Sequence, residues 1–125
     1  MIVGIGIDMV EVERIRSAVA NKHFCDKVYT ANEQDYCKRR GQGAAQSYAA
    51  RFAGKEAILK ALGTGFRGGS FLDMEIFHDE LGAPQVILSG HVAETAKEKG
   101  VTKIHLSLTH LKEYAAAECI MEATE

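Results

Sequence analysis

The sequence predicts an α+β fold: a small, mostly antiparallel sheet with helices packed on one side. Three observations carry this. Residues 2–8 alternate as a strand. The stretch that follows, up to Gly63, is dominated by apolar residues at helical spacing. The C-terminal half holds strand-like runs in adjacent pairs, each joined by a turn signal. Strands that pair with their sequence neighbours, with helices segregated from them, define the α+β class.

The elements follow in order. Val3, Ile5 and Ile7 fall on one face of the first strand, and Gly4, Gly6 and Asp8 on the other. A glycine face lets another backbone or a ligand approach closely. Val12, Ile15 and Val19 recur at helical spacing, so residues 10–22 read as one helix, with Arg14, Arg16 and Lys22 on its exposed side. Thr30 followed by Glu33 is a capping box, which starts a second helix that runs to about Arg40. Gly41-Gln-Gly43 breaks it. Ser47 is a candidate cap for a third helix that ends at Gly63-Thr-Gly65. Phe71 to Phe77 and Gln85 to Leu88 flank Asp79-Glu-Leu-Gly-Ala-Pro84, a hairpin signal. Ser89 caps a short helix over residues 90–99, which Gly100 ends. Lys103 to His110 and Tyr114 to Met121 form a second hairpin around Leu111-Lys-Glu113. The predicted order is β-α-α-α-β-β-α-β-β.

The chain has 125 residues, the usual size of one domain, and 1–125 is read as a single domain. With 46% hydrophobic and 26% charged residues its composition is that of a soluble globular protein. A net charge of −2 argues against a nucleic-acid binder dominated by phosphate contacts. No run reaches the ~18 apolar residues of a membrane span, and the N-terminus enters a strand with no cleavable signal. Cys25, Cys37 and Cys119 are scattered, without CxxC spacing, and read as free thiols of a reducing compartment. The cytoplasm is the expected location.

Two carboxylates stand where carboxylates are awkward. Asp8 ends the apolar strand, and Glu56 sits inside an apolar helix, Arg51-Phe-Ala-Gly-Lys-Glu-Ala-Ile-Leu-Lys60. An ionised carboxylate beside a core needs a neutralising partner. A divalent cation is one such partner, and oxygen ligands of this kind suit Mg²⁺. Each residue also has a plainer reading. A strand-end Asp often caps a helix or turn. Glu56 and Lys60 stand four residues apart and can neutralise each other. Tyr48, Phe52, Ile58, Leu59 and Leu62 spread around the same helix, so it is buried or packs in an interface. The glycine run Gly63-Thr-Gly65-Phe-Arg-Gly-Gly69 is no P-loop, but its backbone N–H groups could wrap a phosphate. Ser107-Leu-Thr-His110 closes a strand, with Ser107 and Thr109 on one face and His110 on the other. No GxSxG elbow supports a serine nucleophile.

Three of these stretches, taken together, resemble a known family. They are Gly4-Ile-Gly-Ile-Asp8 with Glu11 and Arg14-Ile15, Arg51-Phe-Ala-Gly-Lys-Glu-Ala57 with Lys60, and Ser107-Leu-Thr-His110 with Tyr114-Ala-Ala-Ala117. In order and spacing they resemble the bacterial holo-acyl-carrier-protein synthases, short-chain 4′-phosphopantetheinyl transferases. The resemblance runs from Met1 to about Met121. It implies transfer of the 4′-phosphopantetheine arm of coenzyme A to a serine of apo-acyl carrier protein, with release of 3′,5′-ADP, for fatty acid biosynthesis. It also implies a homotrimer with active sites between subunits. Carried over residue by residue, Asp8 and Glu56 are implied Mg²⁺ ligands, and Asp8, Glu56 and Lys60 the catalytic group. Glu56 is the implied general base, and Lys60 the residue that stabilises phosphate charge. Lys55, Lys60, Gly63, Thr64, Gly65, Pro84, Ser107, Thr109 and His110 match the coenzyme A surface. Arg14 and Lys22 match the basic helix that docks the acidic carrier. Gly54 stands where the family commonly has alanine, a change that costs a helix ~1 kcal/mol. The rival readings are the same chemistry on a secondary-metabolite carrier, and a non-catalytic module that binds coenzyme A or a nucleotide.

Overall fold

The computed structural model describes residues 1–65 and 68–124; Phe66 and Arg67 of the glycine run lie outside them. In chain order the elements are β1 (Ile2–Glu11), α1 (Val12–Val19), α2 (Lys22–Val28), α3 (Ala31–Lys38), α4 (Ala44–Leu62), β2 (Met74–His78), β3 (Pro84–Leu88), α5 (Gly90–Glu98), β4 (Lys103–His110) and β5 (Tyr114–Glu122). The strands form a three-stranded sheet, β1-β5-β4, and a two-stranded hairpin, β2-β3. Every strand pair among the described residues is antiparallel. The α+β expectation holds, and α4 packs on one face of the larger sheet.

Local chemistry explains where elements begin and where the sequence reading was off. The single helix expected over residues 10–22 is two. Val12 starts α1 only after the strand has run to Glu11. The chain then turns at Ala20, and the Asn21 side chain accepts hydrogen bonds from the backbone N–H of His23 at 2.8 Å and Phe24 at 3.3 Å, which starts α2. The capping box at Thr30 and Glu33 is present at the start of α3. Ser47 is not the cap of α4: a 3₁₀ turn over Gly41–Gly43 already winds the chain, and the helix begins at Ala44. Phe71–Asp73 form a second 3₁₀ turn, so β2 starts at Met74. Ser89 makes no side-chain cap to α5; Asp73 Oδ2 accepts from the Val92 N–H at 3.3 Å instead.

The helix α4 runs through the middle of the molecule. Ala53, Ala57, Ile58, Leu59, Ala61 and Leu62 pack with Met74 and Ile76 of β2, Val92 and Ala96 of α5, and Ala117, Cys119 and Met121 of β5. Its first turns contribute Ala45, Tyr48, Ala49 and Ala50 to a second cluster with Val12, Ile15, Val28 and Tyr29. The glycine face of β1 lies directly on α4. A Cβ at Gly4 would sit 2.0 Å from the Ala61 carbonyl oxygen, and one at Gly6 would sit 2.0 Å from that of Ala57. Strand and helix therefore meet backbone to backbone, which only glycine allows. Gly54 has a related reason. A Cβ there would come within 2.8 Å of Ile76 Cδ1 and 3.1 Å of Leu108 Cδ2, so its helix-propensity cost accompanies tighter packing of the sheets on α4.

The opposite face of the sheet is bare in the single chain. Ile5 and Ile7 are each 64% exposed and Met9 66%. Ile120, Glu118 and Ala116 of β5 stand beside them, and His105, Ser107 and Thr109 of β4 complete the rows.

Candidate active site

Close contact between β1 and α4 builds the site. Asp8 follows Gly6 on the same strand face and so meets the helix. Lys60 Nζ donates to Asp8 Oδ1 at 2.9 Å and to the Ile7 carbonyl at 3.0 Å. The Asp8 side chain is 16% exposed and that of Lys60 53%. The lysine therefore leaves Glu56, its i,i+4 neighbour, and pairs across to the strand. Glu56 is half-buried, with no hydrogen-bond or ion-pair partner among the described residues. Burial first, and the nearby Asp8 charge second, hold its carboxyl above the usual range, and Lys60 offsets part of this.

No group of three or more His, Cys, Asp and Glu gathers among the described residues. The oxygen donors beside Lys60 are two partly buried carboxylates, Asp8 and Glu56. Two hard oxygen donors fit a small cation that keeps most of its water, as Mg²⁺ does.

Next to this centre, Gly63 ends α4 in the left-handed conformation at φ 74°, and Gly65 repeats it at φ 64°. Thr64 lies between them. The other residues of the implied coenzyme A surface are dispersed. Pro84 opens β3 opposite His78. Ser107 and Thr109 are exposed on the bare face, paired with Glu118 and Ala116, whereas Asp8 pairs with Ala117 on the other face. His110 ends β4, exposed, in the row of Ala115 and Val10, two register steps beyond the Asp8 row. Within one chain Ser107 and Thr109 do not reach the Asp8–Glu56–Lys60 centre. Arg14 is exposed on α1 beside the buried Val12 and Ile15. Lys22 pairs with Asp26 at 2.7 Å within α2.

Lys55 is a correction. The resemblance implied a coenzyme A contact, but the side chain is fully buried in this chain. It donates to the Val28 carbonyl at 2.6 Å, Glu33 Oε1 at 2.6 Å and the Phe71 carbonyl at 3.1 Å. One residue before Glu56, it points to the other side of α4. Burial pushes its ammonium below the ordinary lysine value, and Glu33 opposes this. The partner was half-legible: Glu33 was visible as the capping-box glutamate, and it does bond the Thr30 N–H at 2.9 Å. Its further bonds, from Lys55 and from the Ile76 N–H at 2.9 Å, needed the tertiary fold. A second cation escaped the sequence reading. Arg51 is buried, lies 4.2 Å from the Tyr36 ring centre and has Nη2 3.2 Å from His78 Nδ1. Nothing in a single sequence marks an arginine at the head of a helical motif as buried.

With this geometry established, comparison with known proteins places the chain. The model of the 4′-phosphopantetheinyl transferase superfamily matches residues 4–119, and the chain belongs to that superfamily. The holo-[acyl-carrier-protein] synthase of Ruminiclostridium cellulolyticum is 45% identical over 120 residues, 94% of this chain and 90% of the relative. Among solved structures, the holo-ACP-synthase of Plasmodium yoelii superposes with a TM-score of 0.86 at 33% identity, covering 100% of this chain and 98% of that one. The holo-(acyl-carrier-protein) synthase of Bacillus anthracis, in complex with CoA (3′,5′-ADP), gives a TM-score of 0.82 at 38% identity, with 99% of each chain covered.

Proposed function

We propose that this protein transfers the 4′-phosphopantetheine arm of coenzyme A to a serine of an apo-acyl carrier protein, giving the holo carrier and 3′,5′-ADP. Fatty acid biosynthesis in the cytoplasm is the setting, with 1–125 acting as one transferase domain. The observation that carries this is the meeting of Asp8, Glu56 and Lys60 on a superfamily member's scaffold. A module that only bound coenzyme A would not need two carboxylates held beside a lysine.

In the reaction the serine oxygen attacks the phosphorus that bears pantetheine. The pyrophosphate P–O bond breaks, and 3′,5′-ADP leaves with the electron pair. Glu56 accepts the serine proton, directly or through a water. Asp8 and Glu56 would hold Mg²⁺, which when bound polarises the phosphoryl group and offsets leaving-group charge. Lys60 places positive charge against the same phosphate oxygens. At the turn after α4 the Gly63 N–H already donates to the Leu59 carbonyl at 3.0 Å, so it is the Thr64 and Gly65 N–H groups that the turn offers to the substrate. Pro84, Ser107, Thr109 and His110 line the rest of the coenzyme A surface. The direct test is incubation with coenzyme A, Mg²⁺ and apo-acyl carrier protein, read by mass spectrometry. The carrier should gain one phosphopantetheine; an unmodified carrier at all Mg²⁺ concentrations would overturn the reading.

The working unit is a homotrimer. Two observations support this: the apolar row Ile5, Ile7 and Met9 is bare, and Ser107 and Thr109 lie on that same face, away from the catalytic centre. A neighbouring copy on this face would cover the row and bring those hydroxyls toward a site. Ile7→Lys should yield folded, inactive monomers by light scattering. An active monomer would remove the assembly from the mechanism.

Arg14 docks the acidic carrier, with Lys22 at the margin because Asp26 already engages it. In Arg14→Glu, attraction becomes repulsion, and kcat/KM for the carrier should fall by about tenfold or more while coenzyme A affinity is unchanged. Raised salt should narrow the difference from wild type. Equal carrier kinetics would free Arg14 from this role.

A further inference from the structure

The lysine of the site is placed where a metal ligand should be open. Lys60 Nζ lies 2.9 Å from Asp8 Oδ1, so an incoming cation meets a positive charge already seated on one of its two ligands. A second bond, to the Ile7 carbonyl at 3.0 Å, anchors the ammonium there. The asymmetry of burial decides which partner moves. Asp8 is held on a strand against α4 with 16% of its side chain exposed, whereas Lys60 is a long side chain 53% exposed near the end of the helix. Glu56 meanwhile stands beside the pair, within reach of the Lys60 charge but with no hydrogen-bond or ion-pair partner among the described residues.

We propose that Lys60 is an exchangeable counter-ion: it neutralises Asp8 while the site holds no metal, and leaves Asp8 for the substrate pyrophosphate when a divalent cation binds. This rests on the assignment of Asp8 and Glu56 as metal ligands. Its physical content is a competition. One positive charge within contact distance of a carboxylate lowers that carboxylate's affinity for any second cation, and an anionic phosphate that draws the ammonium away restores it. Metal and phosphate ligand therefore favour each other through one side chain, and each must favour the other equally.

The test is calorimetric titration of Mg²⁺, repeated with Mn²⁺ by electron paramagnetic resonance, into the coenzyme A-free protein. Lys60→Met removes the competing charge and should bind Mg²⁺ about tenfold more tightly than wild type, though its transfer activity falls. Lys60→Gln repeats the measurement with a second neutral side chain, and circular dichroism checks both folds. Adding 3′,5′-ADP should tighten Mg²⁺ binding by a larger factor in wild type than in either variant. Equal or weaker Mg²⁺ binding in both variants, with binding still lost in Asp8→Asn, overturns the counter-ion role and leaves the metal site standing. Mg²⁺ binding that Asp8→Asn does not affect overturns the metal site itself, and the counter-ion role with it.

Discussion

Asp8→Asn and Glu56→Gln should each lower transfer to the carrier by at least two to three orders of magnitude and leave a folded protein. On the proposed reading each substitution removes one of two charged metal ligands, and loss of a single preorganised electrostatic group at a reacting centre costs about 10²–10³ in rate. The fold should survive for reasons visible in the site. Asp8 loses only its pair with Lys60, whose side chain is half exposed. Glu56 breaks no hydrogen bond when it becomes neutral, and its own ionisation is opposed by burial and by Asp8. Steady-state rates across a Mg²⁺ titration, with circular dichroism, check this. Near wild-type rates at ordinary Mg²⁺ would remove the residue from the centre. The pH dependence of the metal-free protein has a definite sign. Burial, and after it the Asp8 charge, make Glu56 take up its proton at a higher pH than an ordinary glutamate. In Asp8→Asn the Asp8 contribution to that rise is gone, and the Glu56 carboxyl, followed by NMR without Mg²⁺, should titrate lower than in wild type.

Lys55→Met should cost about 3–5 kcal/mol of folding stability, because it leaves Glu33 charged, buried and without its cation. Few single substitutions in a chain of this size should cost more. The ammonium bonds the Val28 carbonyl, Glu33 and the Phe71 carbonyl, so the loss also unties α2 and the Phe71–Asp73 turn from α4. Glu33→Gln on the same background should recover part of the loss: the uncompensated charge is gone, and bonds from the Thr30 and Ile76 N–H groups can remain. Urea unfolding of both variants measures this; a loss under 1 kcal/mol in Lys55→Met would mean the pair is not held as described. The prediction also separates Lys55 from the chemistry. Coenzyme A affinity measured at a temperature where the variant is folded should be near wild type.

Much of the site was legible because its spacing is local. Glu56 and Lys60 share a helical column, Asp8 falls on the glycine face of an alternating strand, and Gly63 closes the helix: each follows from local pattern, although the strand runs on past Asp8 to Glu11. The capping box at Thr30 and the hairpin around Asp79 to Pro84 were equally local. The Asn21 cap was present in the sequence but was overrun by the spacing of Val12, Ile15 and Val19. What local pattern could not supply was the choice of partner. Lys60 had a carboxylate four residues away and takes Asp8 instead, because α4 lies against β1 and puts the strand's carboxylate within reach. Lys55 reads as one more helical cation until α3 and the Phe71 turn close over it.

The sequence by itself determined the strand and helix periods, the helix-ending glycines, the candidacy of Asp8, Glu56 and Lys60, and the two distinct faces of β1. Only the tertiary structure decided which face of β1 goes inward. Packing of apolar side chains alone would favour the isoleucine face. The glycine face wins because it lets the Ala57–Ala61 stretch of α4 come to backbone contact with the strand. That leaves Ile5, Ile7 and Met9 outside, and sets Asp8 against Glu56 and Lys60.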